Sequence, residues 1–184
     1  RRSASRCRGS RWAQAAGVMR TRPATLGDLA DLRRLHALLQ THHAAADPHW
    51  FKSPTDGETG PNTFAELMAR PDNHFILAEA GEPPRPIGYA WVEVVDQAET
   101  PLRRPHRSAY LHHLIVEPAA RRGGAGGALM AAFRDVGARA GADRLILSVW
   151  EFNAAARNFF RAQGFEPLQT RLWAPLAAAD GLIS

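Results

Sequence analysis

Cysteine and lysine are almost absent from this chain of 184 residues, since each occurs once, as Cys7 and Lys52. A single cysteine excludes an internal disulfide, and beyond residue 7 the chain has neither a thiol nucleophile nor a cysteine ligand for a metal site. It also lacks the Gly-Lys-Ser/Thr sequence of an ATP-binding P-loop. No apolar run approaches the roughly 20 residues that a transmembrane helix needs, so we expect no membrane partner.

Acidic residues are missing from residues 1–18, which contain five arginines. The whole chain has 23 basic and 18 acidic residues, so this segment accounts for the excess and residues 19–184 carry 18 of each. A balanced chain offers no basic stripe that would follow a phosphate backbone, and we expect no nucleic-acid partner. Residues 1–18 also lack the apolar core of a secretory signal. We expect them to be a disordered extension or an upstream start, followed by one domain over residues 19–184, with the cytoplasm as the default location.

Apolar spacing and turn residues divide the chain after residue 18 into strands and helices. A short strand near Met19–Arg22 precedes Thr25, which is placed to cap a helix that ends near His43, since its leucines recur at helical spacing. The segment 47–61 is rich in proline, glycine and aspartate and predicts a loop. The later elements are a helix to residue 69, strands over 74–80, 87–95 and 108–116, a helix to about 140, a strand over 144–150, a helix over 153–163 and terminal strands over 165–173. This order predicts an α/β domain.

A glycine-rich turn stands between the third of these longer strands and its helix, in the sequence LIVEPAARRGGAGGALM over residues 114–130. Glycine weakens a helix by about 1 kcal/mol relative to alanine, so four glycines within five positions require a reason. A strand that turns through glycines into a helix presents unpaired N–H groups at the positive end of the helix dipole, and a phosphate can approach a backbone that has no Cβ atoms. Arg121 and Arg122 add positive charge, and the turn predicts an anion site.

The spacing of the turn separates it from the common nucleotide motifs. The dinucleotide fingerprint Gly-x-Gly-x-x-Gly fails because Leu129 occupies its third glycine and no acidic residue follows at the required distance. The pattern that fits is Arg121-x-x-Gly124-x-Gly126 after a Val-x-Pro sequence at 116–118. It resembles the pyrophosphate-binding motif of the GNAT superfamily, the acetyl-CoA-dependent N-acetyltransferases.

A second signature of that superfamily is similar to LSVWEFNAAARNFFRAQGF, in which Asn153 follows a strand and a helix leads to Gly164 and Phe165. The two signatures together span Tyr110 to Phe165, about a third of the chain. The resemblance implies an α/β (α+β) fold of the GNAT type. Its mixed, mostly antiparallel central sheet would be splayed between strands 4 and 5 and flanked by helices. Acetyl-CoA would lie in the gap as the acetyl-donor cosubstrate.

The resemblance also implies which residues would contact acetyl-CoA. Strand 4 would bond the pantetheine arm through its backbone, the amides of the turn would hold the diphosphate, and Asn153 would bond the arm while also capping a helix. The implied contacts are Leu114, Ile115, Val116, Arg121, Arg122, Gly123, Gly124, Ala125, Gly126, Gly127, Asn153 and Phe160. Phe160 stands where relatives often have a tyrosine that protonates the leaving thiolate. Because phenylalanine cannot donate a proton, the thiolate would leave as such, or be protonated by water, Tyr110 or His112.

The stretch YLHHLIV suggests the base, and we predict His112 and Tyr110 as catalytic residues. Alternate residues of a strand share a face, so His112 should lie on the face of Tyr110 and His113 on the other. By resemblance to the arylalkylamine N-acetyltransferases, these two positions correspond to a His-x-His pair. An imidazole with a pKa near 6.5 can take a proton from an ammonium through water, although both histidines could serve in ordinary hydrogen bonds. Some relatives that modify peptides have a glutamate base where this chain has Ser148, which disfavours acetylation of ribosomal-protein type.

The acceptor is the least defined part of the prediction. Aromatic residues near the expected acceptor site favour a small amine that attacks directly. A peptide N-terminus or lysine is the alternative, and a domain that binds acyl-CoA without catalysis is a second. His49, Trp50 and Phe51 could select the acceptor or pack as a lid, and Trp150 could line the cleft. We expect no metal, because neighbouring strand residues face opposite ways and no cysteine or carboxylate completes a zinc spacing. Homodimers are common in the superfamily, but the sequence indicates no interface.

Overall fold

The computed structural model describes residues 19–54 and 61–174. The predicted extension over residues 1–18 lies outside them, as do residues 55–60 of the predicted loop. The chain divides into two compact units, Arg1–Ser148 and Val149–Ser184.

The first unit is built on a five-stranded sheet whose strands follow one another in chain order. Neighbouring strands are antiparallel, except that the last two are parallel. The elements are β1 (Arg20–Pro23), α1 (Leu29–Ala46), α2 (Pro61–Met68), β2 (Asn73–Ala80), β3 (Arg85–Gln97), β4 (His106–Val116), α3 (Ala125–Arg139) and β5 (Arg144–Leu147), with 3-10 turns at Leu26–Asp28 and Pro118–Ala120. This confirms the predicted mixed, mostly antiparallel sheet flanked by helices.

Helices α1 and α2 cover one face of the sheet. The chain enters α1 through the 3-10 turn, where the Thr25 N–H donates to Asp28 Oδ2 at 2.7 Å. Leu32 and Leu35 of α1 are fully buried, as the spacing of the leucines predicts. They form a core with apolar residues of α2 and the sheet: Phe64, Phe75, Leu77, Tyr89 and Ile115.

Helix α3 packs on the sheet through a second set of buried side chains, namely Leu129, Met130, Phe133 and Val136. Gly137 lies where α3 approaches the sheet most closely, because a Cβ there would be 2.7 Å from Leu145 and 3.3 Å from the Cβ of Ala109. This glycine therefore has a packing reason, unlike Gly127 in the first turn of the helix, where a Cβ would meet no atom within 4 Å.

In the second unit, α4 (Ala154–Ala162) begins where the sequence predicts a helix. The Asn153 side chain accepts the Ala156 N–H at 3.1 Å, which confirms the predicted cap. The terminal strands predicted over 165–173 are wrong, since the structure shows no strand in the described residues 149–174. A strand needs a partner to bond, and this part of the unit contains only one helix. Pro167 also lacks a backbone donor.

Candidate functional site

The turn between β4 and α3 exposes a row of backbone N–H groups. The first backbone bond of α3 runs from the Ala128 N–H to the Gly124 carbonyl at 3.0 Å, so the N–H groups of residues 125–127 precede it and have no acceptor within the helix. Gly124 is the N-cap, with φ of 91°, and Arg122 has φ of 65°. Arg121 and Arg122 are both exposed. Free N–H groups and the positive end of the helix dipole meet here, next in the chain to two exposed arginines, which is an arrangement that can bind phosphate.

At two glycines of this turn, Gly124 and Gly127, the packing of the protein itself leaves room for a side chain, whereas a Cβ at Gly123 would lie 3.2 Å from the Ala120 carbonyl oxygen. A Cβ at Gly127 would meet no atom within 4 Å, and its backbone conformation suits any residue. A Cβ at Gly124 would likewise meet nothing within 4 Å, although its positive φ disfavours a side chain. The space before both glycines is open to a ligand. Residues 122–127, which we call the cradle, therefore fit a diphosphate.

Beside the cradle, β4 has an edge without a partner strand. Residues 114–116 pair with β3 on one side, whereas β5 pairs only with Ser108–Leu111. Among the described residues no strand bonds the other edge of β4 beyond Leu111. The Ile115 side chain is buried in the core with Leu32 and Leu35 of α1. What this edge of β4 can offer to an extended ligand is therefore its backbone N–H and C=O groups.

Gly88 of β3 is a residue that sequence reasoning missed. It pairs with Val116, and a Cβ there would lie 2.6 Å from the carbonyl oxygen of Ile115. The two strands therefore approach closely where β4 leads into the cradle. The only signal in the sequence is a glycine within an otherwise apolar strand, IGYAWV.

A β-bulge in β4 places His112. Trp91 of β3 pairs with His113 and Val92 pairs with Leu111, so His112 is the extra residue between them. Both imidazoles contact the indole of Trp91, with ring centroids at 4.1 Å for His112 and 5.0 Å for His113. The prediction that His112 and His113 face opposite ways is therefore wrong, because the bulge interrupts the alternation.

His112 lies among polar and aromatic side chains. Its Nε2 is 2.7 Å from Glu93 Oε2, and its ring is partly exposed. The ring stacks on Trp91 at an interplanar angle of 19° and lies edge to face with Tyr110 at 4.7 Å. Trp91 in turn donates from Nε1 to Asn73 Oδ1 at 2.6 Å. Sequence reasoning missed Glu93, because a carboxylate on the neighbouring strand gives no spacing signal relative to His112.

Tyr110 contacts the end of β5. Its hydroxyl donates to Ser148 Oγ at 2.8 Å. Tyr110 also contacts His112, so the structure brings the two predicted catalytic residues together. Ser148, the residue at the position where some relatives that modify peptides have a glutamate base, therefore contacts Tyr110 through its hydroxyl.

His113 is a neutral imidazole that is partly buried. Its Nδ1 lies 2.8 Å from the Tyr89 hydroxyl, and its ring stacks on His36 of α1 at 5.1 Å. Burial lowers the pKa of His113 to about 3, with smaller contributions from His36, His112 and His43. Burial also raises the pKa of Tyr89 and lowers that of His36. At neutral pH these three groups carry no charge, so they contribute packing and hydrogen bonds next to Trp91.

Glu117 fixes the backbone where β4 ends and the turn begins. Its carboxylate accepts two hydrogen bonds from Arg85, each at 2.9 Å, and one from Arg34 of α1. The Arg85 guanidinium, with help from Arg34, lowers the pKa of Glu117. The backbone N–H of Glu117 donates to the Ile87 carbonyl at 2.8 Å. The start of the turn is thus tied to both α1 and β3.

The remaining predicted residues belong to the second unit or to the loop after α1. In the second unit, Phe160 contacts the rings of Phe159 and Phe165, and Trp150 stacks on Phe152. In the loop, Phe51 lies against His43 with ring centroids 4.8 Å apart, and Trp50 is 62% exposed. His49 donates its N–H to Asp47 Oδ1 at 3.2 Å.

Residues 19–54 and 61–174 contain no group of three or more His, Cys, Asp or Glu side chains that could hold a metal ion. None of their helices is long and apolar enough to span a membrane. A half-open cavity of about 350 Å³ lies elsewhere, lined by residues of β1, β2 and α3 that include Thr21, His74 and Arg139. None of the predicted site residues lines it.

Comparison with known proteins gives one matching family and several solved structures of similar fold. The model of the acetyltransferase (GNAT) family matches residues 36–165. A variant of the Bacillus halodurans protein BH1408 is 22% identical, with a TM-score of 0.80, covering 85% of this chain and 99% of that one. An aminoglycoside acetyltransferase from an uncultured soil metagenomic sample, in complex with sisomicin, is 16% identical with a TM-score of 0.64, covering 86% and 96%. The aminoglycoside N-acetyltransferase AAC(6′)-Iy in complex with CoA is 16% identical with a TM-score of 0.64, covering 90% and 99%. At this identity the likeness is one of fold, and no curated protein matches the sequence.

Proposed function

The chain belongs to the acetyltransferase (GNAT) family, and we propose that it transfers the acetyl group of acetyl-CoA to a primary amine of a small molecule by direct attack. Acetyl-CoA, when bound, supplies the acetyl group as a thioester: the C–N bond forms, the C–S bond breaks, the amine gives up a proton and the thiolate takes one. The chain's own residues bind the donor, orient the amine and move these protons.

The observation that carries the proposal is that one strand joins the cradle to the proton-transfer groups. β4 runs from Tyr110 and His112 through residues 114–116 into the turn. At about 3.3 Å per residue, His112 lies about 13 Å along the strand from Val116. A donor held by its diphosphate in the cradle, with its arm along the open edge of β4, would present its far end near His112.

In this proposal, His112 takes the proton of the amine and Tyr110 donates one to the thiolate. The imidazole is partly exposed, so an amine can reach it directly or through a water molecule. The Tyr110 hydroxyl supplies the acid that Phe160 cannot. The contacts of Asn153 and Phe160 with the arm, implied by the resemblance, stay predictions.

Two structural neighbours are aminoglycoside acetyltransferases, which supports a small amine as the acceptor. The aromatic side chains of Trp91 and Tyr110 beside His112 suit an amine attached to an apolar or ring-shaped group.

Turnover tests the proposal. The protein is incubated with acetyl-CoA and a panel of arylalkylamines, aminoglycosides, aliphatic amines and a peptide with a free N-terminus. Thiol release and the mass of the product are then measured. We expect release with at least one small amine and its loss in His112→Ala. Acetylation of the peptide alone would replace the acceptor class, and tight binding of acetyl-CoA with no thiol release would contradict an enzymatic role.

A further inference from the structure

The geometry points to Glu93 as a positioning residue, and we infer that it holds His112 with a proton on Nε2, so that Nδ1 is the atom that takes the proton of the amine. The inference rests on the proposed function and deepens it at the same site. It assigns a role to a side chain that the sequence did not single out.

The tautomer follows from the chemistry of the contact. Glu93 Oε2 lies 2.7 Å from His112 Nε2, and an ionised carboxylate can only accept a hydrogen bond. Nε2 must therefore carry the proton. A neutral imidazole has one N–H, so its lone pair lies on Nδ1. Nδ1 makes no hydrogen bond to any described residue, which leaves it available to an acceptor.

Two further contacts fix the plane of the ring. Trp91 stacks on His112, and Trp91 is itself held by Asn73 through Nε1 and by Phe75, on which it stacks at 5.5 Å and 9°. Because the bulge puts His112 opposite no residue of β3, these side-chain contacts rather than the ladder orient the imidazole. With the plane set by Trp91 and Nε2 set by Glu93, the direction of Nδ1 is defined.

Among the described residues, Glu93 is the acidic side chain that contacts His112. Arg70, in the turn after α2, lies 3.4 Å from Glu93 Oε1, but its closer contact is Asp72 at 3.0 Å. His113 is neutral, and Tyr110 presents its ring edge to the imidazole. Once His112 accepts a proton, the imidazolium lies against the Glu93 carboxylate.

Nitrogen-15 NMR of the histidine rings tests the inference without turnover. The His112 signals are identified by their loss in His112→Gln. We expect the Nε2–H tautomer in the wild-type protein and a larger Nδ1–H fraction in Glu93→Gln, whose amide group can also donate to the ring. Asp96→Asn is the matched control, since Asp96 lies on the same strand and pairs with Arg107 at 2.6 Å, and it should keep the wild-type tautomer. An Nδ1–H tautomer in the wild-type protein, or a tautomer distribution unchanged in Glu93→Gln, would overturn the inference.

Kinetic measurements distinguish a role of Glu93 in positioning His112 from a role in the stability of the protein alone. Because general-base catalysis contributes about 10²- to 10⁴-fold, Glu93→Gln should lower kcat by about tenfold or more and leave the KM for acetyl-CoA unchanged. The double variant that combines Glu93→Gln with His112→Ala should be no slower than His112→Ala alone. Additive losses would overturn the inference. If the wild-type protein acetylates no amine, the proposed function fails while the NMR result still decides the tautomer.

Discussion

Replacement of Gly127 by alanine should change stability and coenzyme affinity in opposite directions. Gly127 is the third residue of α3, and a Cβ there meets no atom within 4 Å. Alanine is favoured over glycine in a helix interior by about 1 kcal/mol, and the first turn should realise roughly half of this. For a chain of this size that amounts to a rise in Tm of about 1–2 °C.

The same methyl group would stand where a diphosphate must approach the N–H groups of residues 125–127. Loss of one hydrogen bond to a charged group costs about 1.5–3 kcal/mol, which corresponds to roughly 10- to 150-fold in affinity. We therefore expect Gly127→Ala to melt at a higher temperature than the wild-type protein and to bind CoA at least tenfold more weakly.

Scanning calorimetry measures the first effect and titration calorimetry with CoA measures the second. Gly141→Ala is the control, because Gly141 lies beyond the other end of α3, has φ of 66° and is outside the cradle. It should lose about 1 kcal/mol of stability through backbone strain with no change in affinity. Unchanged CoA affinity in Gly127→Ala would refute the cradle. Lost stability would refute the argument that the apo protein has no use for this glycine.

Three further predictions concern stability and can be checked by urea unfolding. Gly88→Ala should destabilise the protein by about 1–3 kcal/mol, since its Cβ would be 2.6 Å from a backbone oxygen of β4; an unchanged midpoint would contradict this close approach. The pKa of His113 is lowered to about 3 on folding, so the unfolded chain binds a proton first, and stability should fall as pH drops below about 6.5. Near pH 5 the loss attributable to this residue is about 2 kcal/mol, and a wild-type pH dependence retained in His113→Gln would contradict it. Glu117→Gln should cost about 1 kcal/mol at pH 7, because its partners are partly exposed. Because folding lowers the pKa of Glu117, the difference should shrink as pH falls below about 4.5, and a difference independent of pH would exclude an ionic origin.

The order of elements and the glycine-rich turn between β4 and α3 could be predicted from the chain alone, because both depend on local chemistry. The leucine spacing of α1, the apolar runs of β2 and β3, and the cap at Asn153 act over a few residues. The glycines of the cradle depend on steric freedom at single positions, which composition and spacing reveal directly.

Strand extents were less predictable. The strand predicted over 144–150 ends at Leu147, and the segment 165–173 forms no strand, although its residues have suitable propensities. A strand exists only where a partner supplies hydrogen bonds, and the partner is chosen by the fold rather than by the segment.

The sequence by itself determined the sheet with its flanking helices, the open N–H groups after β4, and the presence of histidine in that strand. Only the tertiary structure decided that a bulge turns His112 and His113 toward the same indole, and that Glu93 lies beside one imidazole while Tyr89 lies beside the other. The register between two strands sets these contacts, and register is a property of the pair that neither strand contains alone. One residue type therefore becomes, at His112, a partly exposed imidazole paired with a carboxylate and, at His113, an imidazole that stays neutral beside a tyrosine hydroxyl.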